Sequence, residues 1–586
     1  MEEIRWSLDN MFNGKEEIKE YIDDVKDIIK KLNELKKDAR NNIKEIFFLI
    51  SEGQRKLYHL GVYSNSKQDE DSRISEFQKL NMDVNSLMTS FSSSAAFLKP
   101  FILSLSEEEI NELLEDEELK DFHLTIKKTL RYKPHTLSRE EEELISNFEN
   151  TFESPSYTYY YLTNADMKFP TIDSLDGKEL TDTNFTLLQQ NPDQSVRKEV
   201  FEKYYETYNS YRNTIANTLY SNMETKEKLA KLKNFDSYRN MALYEDNVDL
   251  KVYDALIESI HRYLPVLHKY YGLKKELLAL EEQHMYDVYM PIITDFDKKY
   301  TWDEARNLAI NSVSPLGEEY VEIYKSAFRD NWIDVNPRAG KRGGAYSTGS
   351  YDSNPYILMN FNGNLDSVFT LAHEMGHSMH SYYSKKNNNF EDSSYTIFVA
   401  EVASTFNENL LLDYLKNRLE SDKERLYLLD FHLDSFKSTV FRQTMFAEFE
   451  KITHDRISSG ESLTAEDFDK IYYDLNVKYF GEHMISDEGI GHEWMRIPHF
   501  YSDYYVYKYA TGYCAATILS QRVLSGVEDA RDNYELFLKD GSKHFPIDQL
   551  KIAGIDMTDS KTIDEALDVF VKLVDELEEI VKKNRN

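Results

Sequence analysis

The segment Leu371-Ala372-His373-Glu374-Met375-Gly376-His377 sets two histidines four residues apart, with a glutamate beside the first. On a helix that spacing is one turn, about 6 Å along the axis, so both imidazoles face one way and can share a tetrahedral ion. Imidazole nitrogens suit zinc, and Glu374 stands where a carboxylate can take a proton from an activated water. The chemistry implied is hydrolysis. A catalytic zinc takes three protein donors and keeps one position for water, so a third donor must come from elsewhere. Phe398 to Glu408 supplies a candidate: Glu401, Thr405 and Glu408 share one polar face of an otherwise apolar helix. A carboxylate in that setting needs a partner to offset desolvation, and a metal is one. Glu401 is assigned as the third ligand, and Glu408 as the acceptor that orients a histidine through its free N–H. His380 is rejected, because it lies about 10 Å along the helix axis from His373. The extended pattern HExxHxxGxxH fails too, since position 380 is His and position 383 is Tyr.

These residues need two helices to hold them. Asp366 or Ser367 reads as the first cap, and Val368, Leu371, Ala372 and Met375 as the apolar stripe, giving helices over about 365–385 and 395–419. Before them, NPRAGKRGGAYSTGSYDSNPYILMNF carries four glycines, and Tyr356 to Phe361 reads as a buried strand. Residues 1–153 read as a helical lobe, with Ile18, Tyr21, Ile22, Val25, Ile28, Ile29, Leu32 and Leu35 in one stripe. Residues 154–192 read as a boundary of short strands or loops, because Tyr157 to Tyr161 are rich in strand formers. Residues 193–586 read as the catalytic domain, helical again apart from a break near 486–498. The fold class is mostly α with a small sheet near the middle.

Composition narrows the partners. The chain has 586 residues, 41% hydrophobic and 30% charged, which is the balance of a folded protein. Its net charge of −34 argues against nucleic acid and anionic membranes as partners. No run of about 18 apolar residues predicts a membrane span. The start MEEIRWSLDNMFNGKEE has no secretory h-region. Cys514 is the only cysteine and lies in an apolar stretch, so it reads as a buried thiol rather than a nucleophile. Together these predict a cytoplasmic protein. Nothing in the sequence fixes an oligomeric state.

Three separated motifs occur in order: GKRGGAYSTGSY with NPYILMNF and LAHEMGHSMHSYY, then FVAEVASTFNE, then RIPHFYSDYYVYKYATGY. Together they resemble oligoendopeptidase F within the thimet-oligopeptidase-like zinc metallopeptidases. The resemblance implies one zinc per chain held by His373, His377 and Glu401, and a two-lobed helical body enclosing a deep channel for short peptides. It implies that Gly343, Gly344, Ala345 and Tyr346 pair with substrate backbone. It also carries over His499, Tyr504 and Tyr507 as oxyanion donors, with Tyr501 and Tyr505 as further candidates. Two other readings compete, a catalytically silent peptide-binding protein and a structural zinc protein. The intact Glu374 argues against the first, and the open fourth metal position against the second.

Overall fold

Amphipathic stripes become helices throughout the chain. The computed structural model describes residues 3–293, 296 and 298–585. It is 73% helical, against roughly a third in an average domain, so the class is mostly α as expected. The chain divides into two compact units, each assembled from three separated segments. The expected boundaries at 153 and 192 both fall inside the second unit.

The first unit comprises Met1–Thr136, Asp297–Asn417 and Leu519–Gly554. Its N-terminal part packs α1 (Lys15–Leu35), α2 (Ala39–Glu70) and α3 (Ser75–Ala95) around Val25, Leu32, Ile46, Leu57 and Phe91. Next to them lies a three-stranded sheet of β1 (Ile333–Asp334), β2 (Tyr346–Thr348) and β3 (Tyr356–Leu358), with β3 in the centre. All three β3 residues are buried, which explains the unbroken apolar run of the expected strand. β3 runs parallel to β1 and antiparallel to β2, with Ser347 opposite Ile357. β2 is therefore an edge strand. The buried Asp334 carboxylate accepts from both terminal nitrogens of Arg338, at 2.7 and 2.8 Å, and from Lys341 Nζ at 2.6 Å. Lys341 also donates to the Met359 carbonyl at 2.6 Å, so this ion cluster ties the glycine-rich loop to the sheet.

The second unit comprises Leu137–Phe296, Arg418–Ile518 and Ile555–Asn586. Its long helices include Arg212–Leu232, Leu250–Leu277, Arg442–Ser458 and Ser560–Arg585. One expectation fails here. Ser154–Tyr161 is a helix rather than strand or loop. Pro155 sits in its first turn, where the missing N–H costs nothing, and this outweighs the strand propensity of the tyrosines. A short antiparallel pair, Thr171–Ile172 with Lys178–Glu179, does follow. The break near 486–498 is real, and tight 3₁₀ turns fill Glu488–Arg496 and Pro498–Tyr501. Cys514 is fully buried, and burial pushes its thiol up to about 12. Among the described residues no helix is long and apolar enough to cross a membrane.

Candidate metal centre

The histidine motif lies on the helix Leu365–Asn387. Its cap is Asn364, whose Oδ1 accepts from Ser367 N at 2.9 Å, so the cap lies two residues before Asp366 and three before Ser367, the expected caps. The largely apolar helix Ile397–Lys416 packs directly on it. Gly376 makes this contact close: a Cβ there would stand 2.5 Å from the Ala403 carbonyl oxygen and 2.6 Å from Ser404 Cα. Glycine therefore sets the separation of the two helices that carry the candidate ligands.

His373 Nε2 lies 3.4 Å from Glu401 Oε2, and His377 Nε2 lies 3.7 Å from it. Donor atoms of the three residues all fall within 4.8 Å of one another. Donors at 2.0–2.1 Å around a tetrahedral ion stand about 3.3 Å apart, so the residues present fit such an ion. Two imidazoles and a carboxylate suit zinc or a similar transition ion better than magnesium or calcium. His373 Nδ1 is 2.7 Å from Glu408 Oε1, which leaves Nε2 for the centre. Burial pulls the His373 imidazole down, but the hydrogen bond and charge of Glu408, with Glu374 and Glu401, lift it to about 9. Burial and the nearby His373 pull His377 down to about 4. Its ring is also hydrogen-bonded to the Ala400 backbone.

Glu374 is buried, and its Oε2 has no hydrogen-bond partner. Burial raises it to about 7, opposed by His373 and reinforced by Glu401 and Glu408, while the Ser347 amide of β2 bonds its carboxylate. His380 stands outside the donor group. Its ring is buried and stacks on Tyr395 at 3.7 Å, with Phe537 on its other contact at 5.2 Å.

The glycine-rich residues divide by role. Gly343 and Gly344 border open space, and Gly344 takes φ +81°, a conformation that favours glycine. The strand itself begins at Tyr346, whose hydroxyl donates to Asp69 Oδ2 at 2.8 Å.

The third motif belongs to the second unit. His499 is partly exposed and flanked by Tyr505 at 6.5 Å and Tyr509 at 6.1 Å between ring centroids. Tyr504 and Tyr507, the expected donors, are instead interior, at 2% and 0% exposure. Both rings pack on Tyr253. Tyr504 takes φ +59° and precedes the helix, which begins at Tyr507, so the helical rule that put residues 504 and 507 on one face does not apply. Tyr501 is also buried, its hydroxyl 2.7 Å from Thr218 Oγ1. Of these candidates Tyr505 is partly exposed, and so is Tyr509, four residues further on.

A buried network holds this segment. His454 Nδ1 lies 2.8 Å from Glu227 Oε1 and Nε2 lies 3.0 Å from Asp503 Oδ1. Both ring nitrogens face carboxylates, so the ring is an imidazolium. Burial opposes that charge, but the two hydrogen bonds lift His454 to about 9. Lys226 pairs with Asp503 and donates to the Tyr501 carbonyl at 2.7 Å, and Glu450 accepts from the Tyr504 amide at 3.1 Å. Burial, with the charge of Asp503, pushes the Glu450 carboxyl well above its ordinary range. A raised histidine stabilises the fold fully below its unfolded value of about 6.5 and loses that contribution as pH climbs through about 9. His454→Gln is therefore expected to cost about 3 kcal/mol near pH 6, with the gap to wild type closing by pH 10. Urea unfolding of both proteins at the two pH values measures this, and a gap independent of pH contradicts the imidazolium.

Residues 187–569 match the family described as Peptidase family M3, and residues 102–169 match Oligopeptidase F. The chain belongs to peptidase family M3. It is 43% identical over 587 residues to Oligopeptidase PepF of Bacillus subtilis, covering 99% of this chain and 88% of that one. It is 37% identical to Group B oligopeptidase PepB of Streptococcus agalactiae, covering 99% and 98%. A crystal structure from Chlamydophila abortus superposes with a TM-score of 0.92 at 33% identity over 98% of each chain. Oligoendopeptidase-F from Enterococcus faecium gives 0.74 at 33% identity, covering 97% and 98%. As an M3 protein the chain is a metalloendopeptidase that acts on peptides.

Proposed function

We propose that the chain is a zinc-dependent endopeptidase that hydrolyses internal bonds of short peptides, with Glu374 as general base. The observation that carries this is the convergence of His373, His377 and Glu401 beside a buried carboxyl that is not one of the donors. When bound, zinc supplies a Lewis acid that polarises the scissile carbonyl and lowers the pKa of water.

The chain's own residues do the rest. Glu408 fixes the tautomer of His373. The unpartnered Oε2 of Glu374 accepts a proton from the attacking water and passes it to the leaving amine. The Ser347 amide holds that carboxylate in place. His499 and Tyr505 are assigned to hydrogen-bond the oxyanion in place of Tyr504 and Tyr507, since both residues are partly exposed. Peptide backbone is assigned to the open edge that runs from Gly343 through Ala345 and Tyr346 into β2, where main-chain pairing binds without demanding one side chain.

Turnover of an internally quenched peptide tests the reading. Activity should vanish on chelation and return with zinc, and activity indifferent to chelator overturns it. Restriction to short chains is a separate expectation, supported by the chain's relatives Oligopeptidase PepF and Group B oligopeptidase PepB. A peptide of about ten residues should be cut at least tenfold faster than the same sequence embedded in a long unfolded polypeptide. Equal rates on a gel and mass-spectrometric time course refute the restriction and leave the metal chemistry standing.

A further inference from the structure

A carboxylate that is to hold an ion must itself be aimed, and its outer partners do the aiming. Glu401 lies on the helix Ile397–Lys416, and the oxygen it turns toward both histidines is Oε2. That same oxygen accepts a hydrogen bond from Ser404 Oγ at 2.9 Å. Among the described residues, the Glu401 side chain has no other polar partner besides the two histidines. Glutamate turns about three side-chain bonds, and this one is only partly covered, so packing alone does not hold it.

Ser404 is well placed to do so. It stands three residues after Glu401, on the same helical face, and is fully buried. A Cβ on Gly376 would lie 2.6 Å from Ser404 Cα, so the Ser404 backbone is pressed against the helix of His373 and His377. Its hydroxyl thus hangs from a point that is fixed relative to both histidines. The rival role is local. Ser404 Oγ also lies 3.0 Å from the Glu401 carbonyl, and such back-bonding is common for serine inside helices. A hydroxyl has one proton to donate, and a charged carboxylate oxygen makes the stronger acceptor.

We infer that Ser404 is a positioning residue for the metal centre, its hydroxyl holding Glu401 with Oε2 toward His373 and His377. This rests on the reading of His373, His377 and Glu401 as the ligands. Without the hydroxyl the carboxylate is free to turn, and an incoming ion must order it at the expense of affinity. Loss of such an outer contact typically weakens metal binding by about 10–100-fold.

Ser404→Ala and Ser404→Thr separate the hydroxyl from the position. Zinc affinity of each full-length chain is read by competition with a chromophoric chelator, and urea unfolding of the metal-free proteins is followed alongside. Ser404→Ala is expected to bind zinc at least about tenfold more weakly, and Ser404→Thr to stay within about threefold of wild type. The metal-free Ala variant should unfold at nearly the wild-type urea concentration. Unchanged affinity in the Ala variant overturns the inference and leaves Ser404 its back-bond. A loss shared by both variants overturns it too, since packing against Gly376 rather than the hydroxyl would then be at fault. So does a loss matched by early unfolding of the metal-free Ala variant, the mark of a merely structural serine. A wild type that binds no zinc defeats the ligand reading itself, and the inference with it.

Discussion

Glu374→Gln is expected to keep its metal and lose turnover by several orders of magnitude, beyond the 10²–10⁴ usual for a proton-transfer group. The side chain is not among the three converging donors, so the amide removes no ligand. Glutamine has nearly the same shape, and its carbonyl oxygen can still accept from the Ser347 amide. What it cannot do is accept a proton from water. The unpartnered Oε2 is the atom that changes its chemistry while its surroundings stay as they are. Metal content by mass spectrometry and turnover of a quenched peptide, measured on the same preparation, give the answer. Near-normal turnover in a metal-loaded variant would sink the mechanism.

The second large effect concerns the metal itself. Glu401→Ala should weaken binding by more than the 10–100-fold that loss of a supporting residue costs, because it removes one of three donors and leaves two. His380→Ala should leave affinity unchanged. That variant will lose stability, since it hollows out a ring packed against Tyr395 and Phe537, so affinity must be read on the folded fraction by competition with a chromophoric chelator. Loss of metal in the His380 variant, with retention in the Glu401 variant, would reverse the ligand assignment.

The cluster of His373, His377 and Glu401 was legible because it is local twice over. His373 and His377 are one helical turn apart, and Glu401 and Glu408 declare themselves as polar residues on an apolar helix. What joins the two helices was less visible: Gly376 sits inside the motif, yet only the approach of Ala403 and Ser404 explains it. The third motif was legible as a motif, but not which of its rings lie inside. Tyr504 takes a left-handed backbone conformation that no residue-spacing rule foresees, and the rings inside and outside exchange places. His454 looked like any core histidine, since its partners Glu227 and Asp503 lie 227 and 49 residues away. The helix at Ser154–Tyr161 carried its own signal in Pro155, overridden by the weight given to tyrosine. The division into two units, each of three segments, depends on contacts between distant stretches and leaves no compositional mark.

The close packing at Gly376 has a thermodynamic consequence. In small zinc modules the ion gathers a chain that is otherwise unfolded, so binding energy is folding energy. Here His373, His377 and Glu401 already converge on helices whose separation is fixed by backbone touching backbone. The backbone of the two helices is ordered by their own packing, so less of an ion's binding energy goes into gathering the chain than in such modules. The helices owe their positions to each other.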